Sequence, residues 1–187
     1  GSFAKYSETI HVTIYEITHT YFPFLTGINE RKYAWMDEGW AVFLPFEFEK
    51  RMAEDFYPDK TTVFSYSFMA GQESELPLMV PSTFLRGYPY RVYAYGRSAV
   101  AFLYLQDLLG KEMFGETLRG FIDTWKGKHP VPHDFFYYFN KASGKNLNWF
   151  WNPWFFESGW SDLALESFKD GQLKIIKKGN IPVPVCV

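Results

Sequence analysis

Hydrophobic residues recur along most of the chain at the three- and four-residue spacing of amphipathic helices. The first such segment has a candidate N-cap at Ser7 and is stopped by Pro23, and Pro45 ends or kinks the second. Gly110 and Gly144 stand where C-terminal caps are expected. The pattern predicts helices over residues 7–22, 33–44, 46–54, 95–109, 111–126, 133–142 and 147–157.

Two segments lack this spacing. Residues 57–90 contain several Pro and Gly and predict a long loop. Residues 172–178 alternate and predict a strand, followed by a turn at Gly179-Asn180 and an edge strand or extended segment over 182–185. Because two short strands are not stable alone in water, this tail predicts the start of a β domain. We therefore expect a mainly α fold, in which residues 1–160 form a helical domain and residues 161–187 form the start of a truncated C-terminal β domain.

The composition excludes several classes of protein. Hydrophobic residues make up 47% of the chain and aromatic residues 21%, which is enough for a substantial core and excludes general disorder. A single Cys excludes an intramolecular disulfide framework and a Cys-based zinc site. The net charge of −2 gives no bulk attraction for nucleic acid or an anionic membrane. The apolar runs are shorter than the roughly 18 residues of a membrane span.

Glu16 and His19 form the first candidate chemical motif, a Glu-x-x-His sequence on the first predicted helix. A zinc hydrolase helix reads His-Glu-x-x-His, because residues four apart share a face and can bind one metal ion, while the Glu reaches the metal-bound water. Tyr15 occupies the position of the first His. These residues alone are a weak signal, because a surface Glu and a partly buried His on an amphipathic helix fit the same pattern.

A second acidic residue strengthens the metal interpretation. Glu38 follows His19 with 18 residues between them, within Trp35-Met36-Asp37-Glu38-Gly39-Trp40-Ala41. Here the chain resembles the aminopeptidase N and leukotriene-hydrolase family of zinc metallopeptidases, which belongs to the gluzincin clan. The third zinc ligand of that family is a Glu at the same distance from the second His, within the motif Asn-Glu-Gly-Phe-Ala. Asp37 and Trp40 depart from that motif. A second helix packed antiparallel to the first can return one carboxylate to the metal.

The resemblance implies a fold and a set of roles. It implies a thermolysin-like helical catalytic lobe over residues 1–160 and a peptide substrate. Zinc would be bound by His19 and Glu38, with Tyr15 at a degenerate ligand position. Glu16 would act as general base in peptide-bond hydrolysis.

A third motif is Tyr95-Gly96-Arg97-Ser98-Ala99, ahead of a predicted helix that ends in Leu108-Leu109-Gly110. The family has Tyr-x-Lys-Gly at this distance from Leu-Leu-Gly, so the resemblance implies that Tyr95 donates a hydrogen bond to the oxyanion of the tetrahedral intermediate. A phenol suits this role because it is a neutral donor at pH 7. Arg97 keeps the positive charge of the family Lys and is a candidate substrate-binding residue. Tyr93 is the rival for the tyrosine role, and a packed aromatic is the alternative for Tyr95.

Because Tyr15 replaces the first ligand His, we expect a low affinity for zinc. A phenol is a rare zinc ligand and reaches farther than an imidazole. His11 cannot replace the missing His, because it lies eight residues before His19, about 12 Å along the helix axis. We therefore expect zinc to bind weakly or not at all.

We also expect low peptidase activity, because a substrate-binding motif of the family is absent from these residues. The family's Gly-x-Met-Glu-Asn motif, which binds the free amine of the substrate, is absent from these residues, and the first residue is not Met. We expect a catalytic-domain fragment whose N-terminal and C-terminal partner domains lie outside it. One alternative is a catalytically inactive pseudopeptidase that binds peptides or a partner. A more distant one is an aromatic-rich carbohydrate-binding module, which would need its aromatic rings in a planar exposed row.

Overall fold

The computed structural model describes residues 2–52, 56–72 and 75–185, with side chains from residue 8 onward. Over these ranges the fold is mainly α, as the sequence predicted, and no helix in them is both long and apolar enough to cross a bilayer. The α-helices are α1 (Ser2–Tyr21), α2 (Glu38–Phe43), α3 (Phe46–Met52), α4 (Pro58–Ser67), α5 (Gly87–Arg91), α6 (Ser98–Leu109), α7 (Lys111–Trp125), α8 (Pro132–Ser143) and α9 (Asn148–Trp151). Two π-helical segments, Val92–Arg97 and Asn152–Phe156, continue α5 and α9, and 3-10 turns form at Phe24–Thr26, Ala34–Met36 and Ser82–Phe84.

The N-terminal helices follow the sequence pattern with shifted boundaries. Helix α1 ends just before Pro23, as predicted, but it runs through Ser7, which is therefore not its N-cap. The predicted second helix is divided into a 3-10 turn and α2, so that Glu38 is the first residue of α2. Pro45 separates α2 from α3. The end of α3 cannot be compared with the predicted one, since residues 53–55 lie outside the described ranges.

The predicted long loop over residues 57–90 is wrong, because α4 lies within it. Pro58 occupies the first position of α4, where a missing N–H and a fixed φ favour a helix start. The apolar residues of α4 are spread around the helix instead of forming one stripe, so the sequence carries no amphipathic signal there.

The helix predicted over residues 95–109 begins earlier, with α5 and the π-helical segment leading into α6. A π-helical turn inserts an extra residue and is frequent at functional sites. Tyr95 lies within this segment. The C-terminal cap positions predicted for Gly110 and Gly144 are confirmed, with φ of 81° and 66° respectively.

An aromatic core holds the helices together. Trp40 stacks on Phe102 with ring centroids 3.7 Å apart, which joins α2 to α6. Gly39 permits this approach, because a β-carbon on it would lie 2.6 Å from Ser98 Cβ. The tryptophans Trp35, Trp40, Trp151 and Trp154 are all buried. These four rings are therefore not available for a planar exposed sugar-binding row.

The C-terminal strands form an antiparallel hairpin of β1 (Leu163–Lys169) and β2 (Gln172–Lys177). Strand β2 confirms the predicted strand. Residues 182–185, predicted as an edge strand or an extended segment, form no strand and do not pair with β2. The partner is β1, joined through Asp170 and Gly171 at positive φ, a pair typical of tight hairpin turns. Both strands are largely exposed. The division of the chain at residue 160 stays a prediction.

Candidate active site

Three side chains meet the carboxylate of Glu38 at the start of α2. Helix α1 brings Tyr15 and His19 to one face, with ring centroids 4.6 Å apart, as their four-residue spacing requires. Tyr15 donates a hydrogen bond to Glu38 Oε2, and His19 Nε2 lies 3.3 Å from the same oxygen. From the π-helical segment, the Tyr95 hydroxyl donates to Glu38 Oε1 over 2.5 Å. The structure therefore brings together four of the residues that the sequence singled out.

Asp37 fixes the orientation of the His19 ring. Its Oδ1 lies 2.9 Å from His19 Nδ1, and both side chains are buried. A carboxylate in this position holds the ring by one nitrogen and turns the other nitrogen, Nε2, towards Glu38. The sequence reasoning treated Asp37 only as a departure from the family motif. Its position directly before Glu38 was the available signal that it reaches the same histidine.

Hydrogen bonding decides the charges at the site. Burial acts to lower the pKa of His19, but the hydrogen bonds to Asp37 and Glu38 outweigh it and raise this pKa to about 10. Burial acts to raise the pKa of Glu38, but hydrogen bonds from His19, Tyr15 and Tyr95 bring it below its usual range. Burial and the neighbouring Glu38 carboxylate raise the pKa of both phenols well above 10. At neutral pH the site is therefore a carboxylate–imidazolium pair with two neutral phenol donors.

Two of the side chains have the spacing of zinc ligands, and His19 would bind the metal after losing its Nε2 proton. The ligand atoms of His19, Asp37 and Glu38 lie within 4.8 Å of one another. His19 Nε2 and Glu38 Oε2 are 3.3 Å apart, the separation of two ligands that each lie about 2 Å from one tetrahedral zinc. Asp37 is bonded to the opposite ring nitrogen, so it orients His19 instead of joining Nε2 at the metal.

The third donor does not fit. Catalytic zinc sites use three protein ligands, and each must be deprotonated or neutral with a free lone pair. Tyr15 stands at the third position, and its proton is engaged by Glu38. The phenol would have to lose this proton before its oxygen could bind a metal. The residues present therefore do not make the His-His-Glu donor set that the resemblance implies.

Glu16 does not join this cluster. It lies on the exposed part of α1, and within the described ranges its carboxylate makes no hydrogen bond or ion pair with His19, Glu38 or Tyr95. Its role as general base stays a prediction.

The choice between the two tyrosines follows from their partners. Tyr93 is buried, and its hydroxyl donates to the carbonyl oxygens of Leu78 and Val80, over 2.5 and 2.7 Å. Tyr95 is the one that reaches Glu38. Tyr93 therefore holds a loop in place, while Tyr95 faces the candidate site.

Arg97 requires a correction. It has no exposed surface, and its guanidinium forms an ion pair of 2.8 Å with Glu75. Its other donors bond to the carbonyl oxygens of Pro153, Trp154 and Glu157. A buried guanidinium with these partners cannot contact substrate, so Arg97 is a structural residue that joins the two π-helical segments.

Comparisons with known proteins show the family to which the chain belongs. The sequence profile of the Peptidase family M1 domain matches residues 2–154. The chain is 24% identical over 177 residues to leucine aminopeptidase 2 of Emericella nidulans, covering 83% of this chain and 28% of that protein. It is 22% identical over 173 residues to a leukotriene A-4 hydrolase homolog of Botryotinia fuckeliana, covering 81% and 26%.

The fold has a similar solved structure. The crystal structure of an M1 zinc metallopeptidase from Deinococcus radiodurans superimposes with a TM-score of 0.57 and 19% identity, covering 73% of this chain and 30% of that one. The chain thus spans less than a third of the length of each of these three relatives. Because the M1 profile covers most of its residues, the chain belongs to peptidase family M1.

Proposed function

We propose that this chain is the helical part of an M1 catalytic domain that binds peptides beside Glu38 but hydrolyses them little or not at all. The observation that carries the proposal is the hydrogen bond from Tyr15 to Glu38. It places a protonated phenol at the third ligand position and uses one oxygen of the carboxylate that would bind the metal. The expected result is weak zinc binding or none.

The surrounding groups still suit a peptide. Tyr95 donates its hydroxyl proton to Glu38, and a bound peptide carbonyl or an oxyanion would take over this proton as acceptor in place of Glu38. His19 and Asp37 are buried beside Glu38, and the contacts among the three side chains hold this arrangement. The peptide substrate class comes from the family, and the amine-binding segment and partner domains of a full-length M1 protein would lie outside residues 1–187.

A second candidate is an active zinc aminopeptidase, favoured by the 3.3 Å between His19 Nε2 and Glu38 Oε2. In that case Tyr15 would lose its proton. Glu16 would take a proton from the attacking water and pass it to the leaving amine. Tyr95 would exchange its bond to Glu38 for one to the oxyanion. The main argument against this candidate is the hydrogen bond from Tyr15 to Glu38, which joins two ligand positions through a proton.

The two candidates differ in metal content and turnover. The purified chain is dialysed against zinc and analysed for bound metal, and hydrolysis of a leucyl-anilide reporter is measured with and without a chelator. Binding of the unlabelled tetrapeptide Leu-Ala-Gln-Ala is measured by calorimetry in the same buffers. The proposal expects substoichiometric zinc, little turnover and peptide binding that the chelator leaves unchanged. Stoichiometric zinc with chelator-sensitive turnover would instead establish the second candidate.

A further inference from the structure

A cavity of about 310 Å³ lies beside the candidate site. It is one turn away from the Glu38 cluster along two elements. On α1, His11 lines the cavity and precedes Tyr15 by four residues, and on the other side Arg91 lines it and precedes Tyr95 by four. Tyr95 itself is part of the wall. A ligand that contacts the Tyr95 hydroxyl can therefore extend into this cavity.

Polar groups with hydrogen-bonding capacity cover one side of the cavity. Helix α4 contributes the hydroxyl groups of Thr61, Thr62 and Ser65, and α5 contributes the phenol of Tyr88. Within the part of the chain that the structure describes, these side chains have no assigned hydrogen-bond partner. They are free to donate to a ligand.

The charge balance of the cavity wall is positive. None of the described residues that line it is acidic, and the fully buried Glu49 is paired with His11 over 2.8 Å. The hydrogen bond to Glu49 raises the pKa of His11 above its ordinary value against the effect of burial. Arg91 is exposed and has no acidic partner among the described residues. The guanidinium of Arg91 is thus an unpaired charge among hydroxyl donors.

We propose that this cavity binds a carboxylate of the bound peptide, from an acidic side chain or from the C-terminus, and that Arg91 is the residue that selects it. A guanidinium offers a fork of N–H donors that matches both oxygens of a carboxylate, and the neighbouring hydroxyls can complete the bonding. The inference rests on the proposed peptide-binding function, because it concerns the same bound peptide.

The test uses the full chain and four unlabelled tetrapeptides in calorimetry. Leu-Ala-Glu-Ala and Leu-Ala-Gln-Ala are each prepared with a free or an amidated C-terminus, so the two sources of carboxylate are separated. Arg91→Gln is compared with Arg91→Lys and with Arg86→Gln, which removes an exposed arginine outside the cavity wall. At low salt we expect the preferred carboxylate to tighten binding about five- to tenfold, because charge-assisted hydrogen bonds exceed neutral ones.

The variants should separate the cavity from general charge. We expect Arg91→Gln to abolish the preference, Arg91→Lys to keep part of it, and Arg86→Gln to leave it unchanged. Raising the salt concentration should reduce the preference, since the site is partly exposed. Equal binding of all four peptides, or a preference that survives Arg91→Gln, would overturn this inference and leave the proposed function standing. Failure of every peptide to bind would overturn both.

Discussion

The hydroxyl of Tyr15 and the carboxylate of Glu38 are joined by a hydrogen bond across 23 positions of sequence. In the metallopeptidases that the chain resembles, a metal ion joins the side chains at these two positions. Here a proton does so, and His19 and Tyr95 complete the bonding of the carboxylate. Helix α1, helix α2 and the π-helical segment thus converge on Glu38, where hydrogen bonds stand in place of a complete set of zinc ligands.

Replacing Tyr15 with His should restore zinc binding. The helix period that aims position 15 at Glu38 does not depend on which side chain it carries. The new imidazole would be the third donor beside His19 and Glu38 and should tighten zinc binding well over tenfold, because even the loss of an outer-shell partner costs about 10–100-fold. Competition with a chromogenic chelator measures the affinity, and zinc should raise the melting temperature of the variant.

Tyr15→Phe is the matched control for that variant, since it removes the hydroxyl without adding a ligand. It should not gain zinc affinity. Equal zinc affinity in the parent and Tyr15→His proteins would refute the prediction, because position 15 would then already supply a ligand or would not face the metal.

The metal-free site should make stability depend on pH. His19 has a folded-state pKa of about 10, above its ordinary value of 6.5. A raised pKa means that the folded state binds the proton more tightly, so the stabilisation is complete below about pH 6.5 and is lost as the pH rises towards 10. Urea denaturation at pH 6, 8 and 10 should show the free energy of unfolding falling along this series.

The His19→Gln variant isolates this contribution, because His11 also has a raised pKa and acts in the same direction. The decline with pH should be shallower in His19→Gln than in the parent protein. Parallel pH profiles for the two proteins would contradict the charge assignment at the site.

The Arg97–Glu75 ion pair should be essential for stability. Both side chains are buried, and Glu75 also accepts hydrogen bonds from Tyr66 and from the backbone of Gly71. Glu75→Gln leaves a buried guanidinium without its counter-charge, which typically costs about 3–5 kcal/mol. Chemical denaturation measures the loss. Glu166→Gln, which breaks the exposed pair with Lys174, should change stability by less than about 1 kcal/mol; comparable losses in both variants would refute the structural role.

The contact of Gly39 with Ser98 should set the spacing of α2 and α6. A β-carbon at position 39 meets the Ser98 side chain, with 2.6 Å to its Cβ. Gly39→Ala should therefore destabilise the fold by about 1–3 kcal/mol through overpacking. The double variant Gly39→Ala with Ser98→Gly should recover much of this loss in denaturation experiments. Additive effects would show that the two residues do not compete for the same space.

The sequence predicted the parts of the site that depend on local spacing and motif. Tyr15 and His19 are one turn apart on a helix, and Glu38 and Tyr95 were found through motifs that the family resemblance supplied. It did not predict the role of Arg97, because a positive charge in a motif does not reveal burial. That burial depends on Glu75, which lies 22 residues away and precedes α5.

The sequence likewise predicted those helices that have a clear local pattern and missed elements that lack one. Helices with a clear apolar face, such as α7, follow the pattern closely. Helix α4 has no such face, so only the structure reveals it. Strand β1 was missed because its register is irregular between Leu165 and Ser167, which interrupts the alternation of its apolar residues. The Asp170-Gly171 turn that pairs it with β2 was the available signal. The cavity beside Tyr95 is lined by residues of α1, α2, α4, α5 and the π-helical segment after α5, so it has no local sequence signal.

The close fit of Gly39 against Ser98 has an evolutionary consequence. Because packing between α2 and α6 holds Glu38 in place, a complete set of metal ligands is not required to keep the cleft in shape. Selection on catalysis and selection on folding can therefore act separately on this chain. Histidine and tyrosine codons differ in one base, so a single nucleotide change exchanges a ligand for a phenol at position 15 and leaves the contact between Gly39 and Ser98 untouched.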